Sequence, residues 1–298
     1  MFQKLSAIIK RKSFRVLALT LLLAFSIAGI ALAETTGGND KFTQCANGGG
    51  SGPCDWINGI VQQSNSTYTE GDAVPQRVYL FDISGGPVHT LVFKWDTTKS
   101  GSHAYDYLVS HDYSEGYVNQ VELCKTPNVP SYCTSWSANQ YPIPLDPNIP
   151  PAVTQQAGNF TILNGTIVGV SPYSLSGSYA GTSETSITIS FTTPYTQVLI
   201  AWGGHLALSS DWSGLGSATI SGAPFHQALV TIDGAAAGSQ DNQVKSILSS
   251  PTAVTLSGFT GYSQAEQPAG WNLALLTLAA FLGGLTLYKL ATSRLAKK

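Results

Sequence analysis

The chain has 298 residues, of which 11% are charged, against roughly 25% in an ordinary soluble domain. Its formal net charge of −2 hides an asymmetry: residues 1–33 carry five bases and no acid, residues 289–298 carry four bases, and the stretch 34–270 keeps all 17 acids against six bases, a net of −11. That middle excludes a nucleic-acid partner, because no basic stripe is present to displace counterions from phosphates, and the abundance of Gly, Ser and Thr excludes a helical bundle.

The N-terminus reads as a secretory signal. Basic residues end at Arg15, Val16 to Ala33 is uncharged, and Ala31-Leu32-Ala33 closes the run before Glu34. Small residues at those positions suit a signal peptidase, so cleavage is expected after Ala33, with an uncleaved anchor as the alternative. Four cysteines follow in two pairs of equal interval, Cys45/Cys54 and Cys124/Cys133. Export permits disulfides. Local pairing fits best, because Cys45-Ala-Asn-Gly-Gly-Gly-Ser-Gly-Pro-Cys54 is flexible enough to turn back on itself, whereas neither pair has the C-x₂₋₄-C spacing of a zinc site.

Beyond the first pair the chain reads as strands. Large apolar residues alternate with others in Leu91-Val92-Phe93-Lys94-Trp95, and Ile187, Ile189 and Phe191 alternate with Thr and Ser, which predicts half-buried strands. Val78–Phe81, Phe160–Val170, Thr196–Trp202, Ala228–Ile232 and Ala253–Phe259 are further candidates, and short helices are expected at His103–His111 and Gln243–Ser249. Seven of the 15 prolines fall between Pro127 and Pro151. That stretch reads as a Pro-rich insertion at about 126–158 in a single sandwich, with a linker between two domains as the alternative; the insertion is preferred because the strands before it are too few to bury a core alone. Short strands separated by turn signals argue for an all-β fold, an antiparallel β-sandwich of Ig-like or jelly-roll-like type.

The C-terminus reads as a membrane anchor. Pro268 to Tyr288 is uncharged and mostly apolar, long enough at about 1.5 Å per residue to cross a hydrocarbon core of roughly 30 Å. Trp271 and Tyr288 lie near its ends, and Lys289, Arg294, Lys297 and Lys298 follow, which places the tail in the cytoplasm. The expected organisation is a signal peptide over 1–33, an ectodomain over 34–267, a transmembrane helix over 268–288 and a cytoplasmic tail over 289–298.

Two clusters are candidate sites. Trp202-Gly203-Gly204-His205, Asp211-Trp212 and His226 fall on and around a loop of about twenty residues, longer than ordinary connections. There Trp202 and Trp212 could stack on a sugar, or His205, His226 and Asp211 could bind a metal; alternatively the tryptophans fill the end of the sandwich. In the second cluster, helical spacing would put His103 and Asp106 on one face, near Asp96 in sequence. That set suits acid–base work or a divalent metal such as calcium, and equally a turn over packed tyrosines. No G-x-S-x-G, H-E-x-x-H, P-loop or Rossmann fingerprint is present, and carboxylates such as Glu70, Glu115, Glu122 and Glu184 offer no readable separation for glycoside hydrolysis.

Taken in order, Trp56-Ile-Asn-Gly59, Glu70-Gly-Asp-Ala-Val-Pro75-Gln-Arg77, Asp96-Thr-Thr-Lys99, His103-Ala-Tyr-Asp-Tyr-Leu108, Trp202-Gly-Gly-His205, Asp211-Trp212 and Ile220 to His226 resemble a module of secreted and surface-anchored prokaryotic β-rich proteins. The resemblance implies a cell-surface β domain and assigns no substrate or catalytic residue. The expected function is that of a non-catalytic surface protein in adhesion, ligand binding or envelope structure, with polysaccharide or surface proteins as partners. A tethered carbohydrate-active enzyme and a structural subunit of an envelope layer are the alternatives.

Overall fold

Alternation along two strands sets the first layer. In the computed structural model, which describes residues 40–48, 53–238, 240–245 and 247–249, strand β5 (Val88–Lys99) buries Leu91, Phe93 and Trp95 and leaves Val92, Lys94 and Asp96 half-exposed. Strand β12 (Ser183–Thr192) does the same with Ile187, Ile189 and Phe191. They pair antiparallel with Phe93 opposite Ile187 and Leu91 opposite Ile189, so apolar side chains meet across the strands on one face.

The remaining strands extend this sheet. On the far edge of β5 lie β14 (Phe225–Ile232), β16 (Asp241–Val244) and β3 (Ile60–Val61), and β10 (Thr166–Val170) borders β12. Short β6 (Ser102–His103), β11 (Ser174–Gly177) and β15 (Ala235–Ala236) bring it to nine strands among the described residues. A second, seven-stranded sheet runs in the order β2 (Asp55–Ile57), β1 (Asp40–Ala46), β4 (Ala73–Phe81), β13 (Gln197–Leu206), β9 (Asn159–Leu163), β8 (Ala138–Pro142), and β7 (Tyr105–Val109) also pairs with β13. Among the described strands every pairing is antiparallel except β16 with β3. Both sheets feed one core, where Trp202 of β13 stacks on Phe93 of β5 at 4.2 Å.

Neither expected helix is seen among the described residues. His103–His111 divides into β6 and β7, and Gln243–Ser249 begins inside β16. The residues of β7 are buried on both faces, so no wet face marks its period, and pairing with β13 overrides the chance i, i+3 spacing of His103 and Asp106. The described helix is instead α1 (Gln120–Leu123), where the Asn119 side chain caps the backbone N–H groups of Val121 and Glu122. The Pro-rich stretch is tied down: Ala138 to Pro142 pairs with β9 as an edge of the second sheet. The expected signal peptide, the candidate strand Ala253–Phe259 and the expected membrane helix lie outside the described residues. Among those that are described, no helix is long and apolar enough to cross a membrane.

The second sheet is covered on its outer face too, which explains why eight of the nine residues of β4 and nine of the ten of β13 are buried. Val118, Leu123, Val129 and both disulfides, Cys45–Cys54 and Cys124–Cys133, pack there against Tyr79, Leu199 and Ala201. This cap is centred on Arg77, whose guanidinium is fully buried. It donates to the Thr43 hydroxyl (3.0 Å), the Leu123 carbonyl (2.6 Å) and the Pro127 carbonyl (2.9 Å), and lies 4.1 Å from the centre of the Trp56 ring. Desolvation presses its pKa down to about 9, with Glu122 opposing, so it stays charged at neutral pH.

Lysine at this position keeps the charge and loses the planar fork that reaches three acceptors. Arg77→Lys should destabilise the fold by about 2–4 kcal/mol, the scale of one or two lost hydrogen bonds to a charged group plus the carbonyls left unpaired. Chemical denaturation measures it, and a loss below about 0.5 kcal/mol would show that the cap does not depend on the guanidinium.

Candidate functional site

The site grows from the end of β13. Trp202 points into the core, and the next two positions must be small. A Cβ on Gly203 would lie 2.7 Å from the Ser110 carbonyl oxygen, and one on Gly204 would meet the Gln227 amide nitrogen and the Tyr105 ring. The glycine pair is therefore a point of close approach inside a strand, where β7 crosses to pair with Gly203 and Gly204. That crossing brings Asp106 to His205.

Asp106 is fully buried and takes three donors. His205 Nδ1 lies 2.6 Å from Oδ1, the Tyr107 backbone N–H donates to Oδ1 at 3.0 Å, and Trp212 Nε1 donates to Oδ2 at 3.1 Å. Because a carboxylate accepts, Nδ1 is the nitrogen that donates to Asp106, and this bond orients the ring. Flat stacking on Tyr107 at 4.2 Å and an edge contact from Tyr113 at 5.8 Å hold the ring in place. On the other side Trp212 stacks on His103 at 3.5 Å, and Tyr179 stands edge-on to both. Burial lowers the His103 pKa to about 4, outweighing the attraction of Asp106, so this ring is neutral near neutral pH.

The loop that delivers Trp212 is itself braced by a buried carboxylate. Glu70 accepts from the Ser209 hydroxyl (2.7 Å), the Ser209 N–H (3.2 Å) and the Ala218 N–H (2.9 Å), and Gly216 leaves room for it.

The sequence-predicted residues divide accordingly. His103, Asp106, His205 and Trp212 come together, although the first two and the last two belong to separate clusters in sequence. Trp202 does not join them: it is a core residue whose Nε1 donates to Gln227 at 3.0 Å. Its burial leaves no face for a sugar ring, and Trp212 is also buried. Asp211 is exposed and accepts from the Ser210 hydroxyl. Asp96 and His226 lie on the outer face of the nine-stranded sheet, where Asp96 accepts from the His226 N–H (3.0 Å) and His226 Nδ1 pairs with Asp241 (2.8 Å). Asp96, held half-buried there, is separated from its two expected companions. Among the described residues no group of three or more His, Cys, Asp and Glu side chains is arranged to hold a metal ion. Tyr107 falls beside His103 and Asp106 in the second sequence cluster, whereas Tyr113 and Tyr179 escaped sequence reasoning, because aromatic residues in strands and loops carry no signal that separates packing from a site.

A carboxylate-oriented imidazole is the geometry of a general base, but among the described residues no hydroxyl or thiol hydrogen-bonds to His205; the Ser114 hydroxyl is engaged by Ala73 and that of Ser209 by Glu70. The chain matches no family model, no curated protein and no solved structure. The site is therefore read from its own geometry.

The buried His103 ties stability to pH. Its folded pKa lies below the unfolded value of about 6.5, so between about 6.5 and 4 the unfolded chain binds the proton more readily. Stability should be complete above pH 6.5 and fall toward pH 4 by at most about 1.4 kcal/mol per pH unit from this group. Burial also lowers the pKa of His111, which acts in the same direction. His103→Phe should flatten the acid side of the stability profile; thermal melts between pH 4 and 7 that keep the wild-type slope would refute the assignment.

Proposed function

We propose that this chain is an exported, single-pass membrane-anchored protein of the cell surface, whose β-sandwich acts without catalysis in adhesion, ligand binding or envelope structure. The observation that carries the reading is the cap: two disulfides, each closing a nine-residue interval, flank a buried arginine. Such bonds form and persist in oxidising compartments, in keeping with the expected signal peptide and the apolar stretch 268–288. Contact with polysaccharide or a neighbouring protein falls to the outer face of the nine-stranded sheet. There Thr90, Ser186, Thr188 and Ser190 share the surface with the Lys94–Glu184 and His226–Asp241 pairs.

The tethered-enzyme reading draws on the Asp106–His205 pair. Both residues are buried, and among the described residues that pair has no nucleophile bound to it, which favours the non-catalytic reading.

Two measurements test the proposal. Protease added to intact cells should degrade the cysteine-bearing portion, and that portion should show no free thiol; a protected portion with reactive thiols would overturn the location. The full-length protein, incubated in detergent with a panel of cell-wall and plant polysaccharides, should retain one or more of them or self-assemble. Release of soluble sugar would make it an enzyme instead.

A further inference from the structure

The chain carries three Asn-x-Ser/Thr triplets, Asn65-Ser-Thr67, Asn159-Phe-Thr161 and Asn164-Gly-Thr166, the acceptor pattern for an N-linked glycan in an exported protein. Such triplets also arise by chance in a chain rich in Ser and Thr, so what the fold does with each one separates them. Asn65 closes a turn with both ends of its side chain: Oδ1 accepts from the Gln62 N–H (2.8 Å) and Nδ2 donates to the Ile60 carbonyl (2.9 Å). The third residue of that triplet is engaged as well, since the Thr67 hydroxyl donates to Asn47 Oδ1 (3.3 Å). Asn164 is buried between β9 and β10 at a left-handed φ of 68°, which asparagine tolerates, and its Nδ2 donates to the Gln197 carbonyl (3.1 Å). Folding alone accounts for both of these asparagines.

The middle triplet is different. Asn159 opens β9 and is half-exposed. Its backbone N–H donates to the Ser110 hydroxyl (2.9 Å), while among the described residues its side-chain amide makes no hydrogen bond. Phe160 and Ile162 belong to the inner core, so alternation turns Asn159 and Thr161 to the outer face of the second sheet. There Thr161 lies opposite Ala201 in register and is only 6% exposed. The apolar Leu163, Leu199 and Ala201 share that face, and the Thr161 hydroxyl has no hydrogen-bond partner among the described residues.

An unmatched hydroxyl in apolar surroundings costs stability, and native interiors rarely keep one. Valine has the same shape, suits a strand equally well, and would bury a methyl group where the oxygen now lies. Folding by itself therefore favours valine at position 161. The acceptor pattern, by contrast, demands a hydroxyl at its third position. Because Thr161 is closed off once β9 has paired, that hydroxyl can be read only before pairing, while the chain is being exported. Asn159, at the first residue of the strand and half-exposed, leaves an attached sugar a way out after folding.

We propose that Asn159 carries an N-linked glycan, attached during export before β9 pairs, and that Thr161 is retained as the hydroxyl of its acceptor triplet. The donor is a glycosyl diphosphate carried on a membrane lipid. In the transfer a bond forms between Asn159 Nδ2 and the sugar C1, the bond from C1 to the diphosphate oxygen breaks, the amide gives up one proton, and the lipid diphosphate leaves. The proposal rests on the exported location proposed above and on neither the adhesion reading nor the anchor.

The test uses the full-length protein recovered from its own cells, with mass spectrometry of the peptides that hold the three asparagines. The Asn159 peptide should carry a sugar mass, and those of Asn65 and Asn164 should be bare. Asn159→Gln and Thr161→Val should abolish the modification, and Thr161→Ser, which keeps the hydroxyl, should retain it. Made in cells that lack N-glycosylation, Thr161→Val should melt no lower than the equally unmodified wild type. A lower melt there would show that the hydroxyl serves the fold and would overturn its assigned role. Sugar confined to Asn65 or Asn164, or sugar on Asn159 that survives Thr161→Val, would overturn the proposal as well. A bare Asn159 in protein whose thiols are all oxidised would defeat the glycan alone, whereas a bare Asn159 with reactive thiols would defeat the exported location along with it.

Discussion

A guanidinium held in the dark between sheet and cap is the constraint on which the architecture turns. Arg77 makes three hydrogen bonds and one aromatic contact. Together these are of the same order as the several kcal/mol needed to take an ion of that kind out of water. The net gain is therefore small, and what the residue supplies is position. Leu123 immediately precedes Cys124, and Pro127 lies inside the Cys124–Cys133 loop. Trp56, beneath the guanidinium, donates to the Glu122 carbonyl (3.0 Å), and the Glu122 side chain accepts from the Cys54 N–H (3.1 Å). One cation thus sets the register of both disulfide loops on the sheet. An apolar residue of equal volume would fill the space and leave those carbonyls without donors.

A second constraint spans the sandwich itself. Gln44 and Gln76 are opposite in register, as are Gln76 and Trp202, on one sheet; on the other, Trp95, Gln227 and Asn242 occupy one row. The rows are joined by Asn242 donating to Gln76 (2.8 Å) and Trp202 to Gln227 (3.0 Å). Amides buried at this depth need partners across the layer, so the rows fix how the sheets face each other more tightly than aliphatic packing alone. Gly204 is part of that fit, since the space a Cβ would need is taken by the Gln227 amide and the Tyr105 ring.

These constraints explain what could be read in advance. The period of two in β5 and β12 is visible because each has one wet face. Strands β4, β7 and β13 are wet on neither, and a strand buried on both sides writes no alternation into its sequence. That is why β4 was legible only from Val78 onward and β7 took the pattern of a helix. The local pairing of the cysteines was legible from interval and flexibility; the cap they hold was not, because Arg77 gives no sequence sign of being buried. For the site, the residue types in Trp202-Gly-Gly-His205 stood out, but their roles came apart on folding. Trp202 entered the core, the glycines admitted β7 and Gln227, and His205 found Asp106, ninety-nine positions away.

The cap and the site are two ends of one surface. Along β13, Leu199 and Ala201 lie under the cap, Gly203 receives the Ser110 carbonyl where the cap segment begins, and His205 follows two residues on, so alternation alone places all four on the same face. The disulfide-pinned segment and the aromatic cluster therefore share a rigid floor. The cap, held by two disulfides, packs on β13 at Leu199 and Ala201, a few residues before the point where Asp106 meets His205. The disulfides thus pin the cover over the same face of β13 on which His205 meets Asp106.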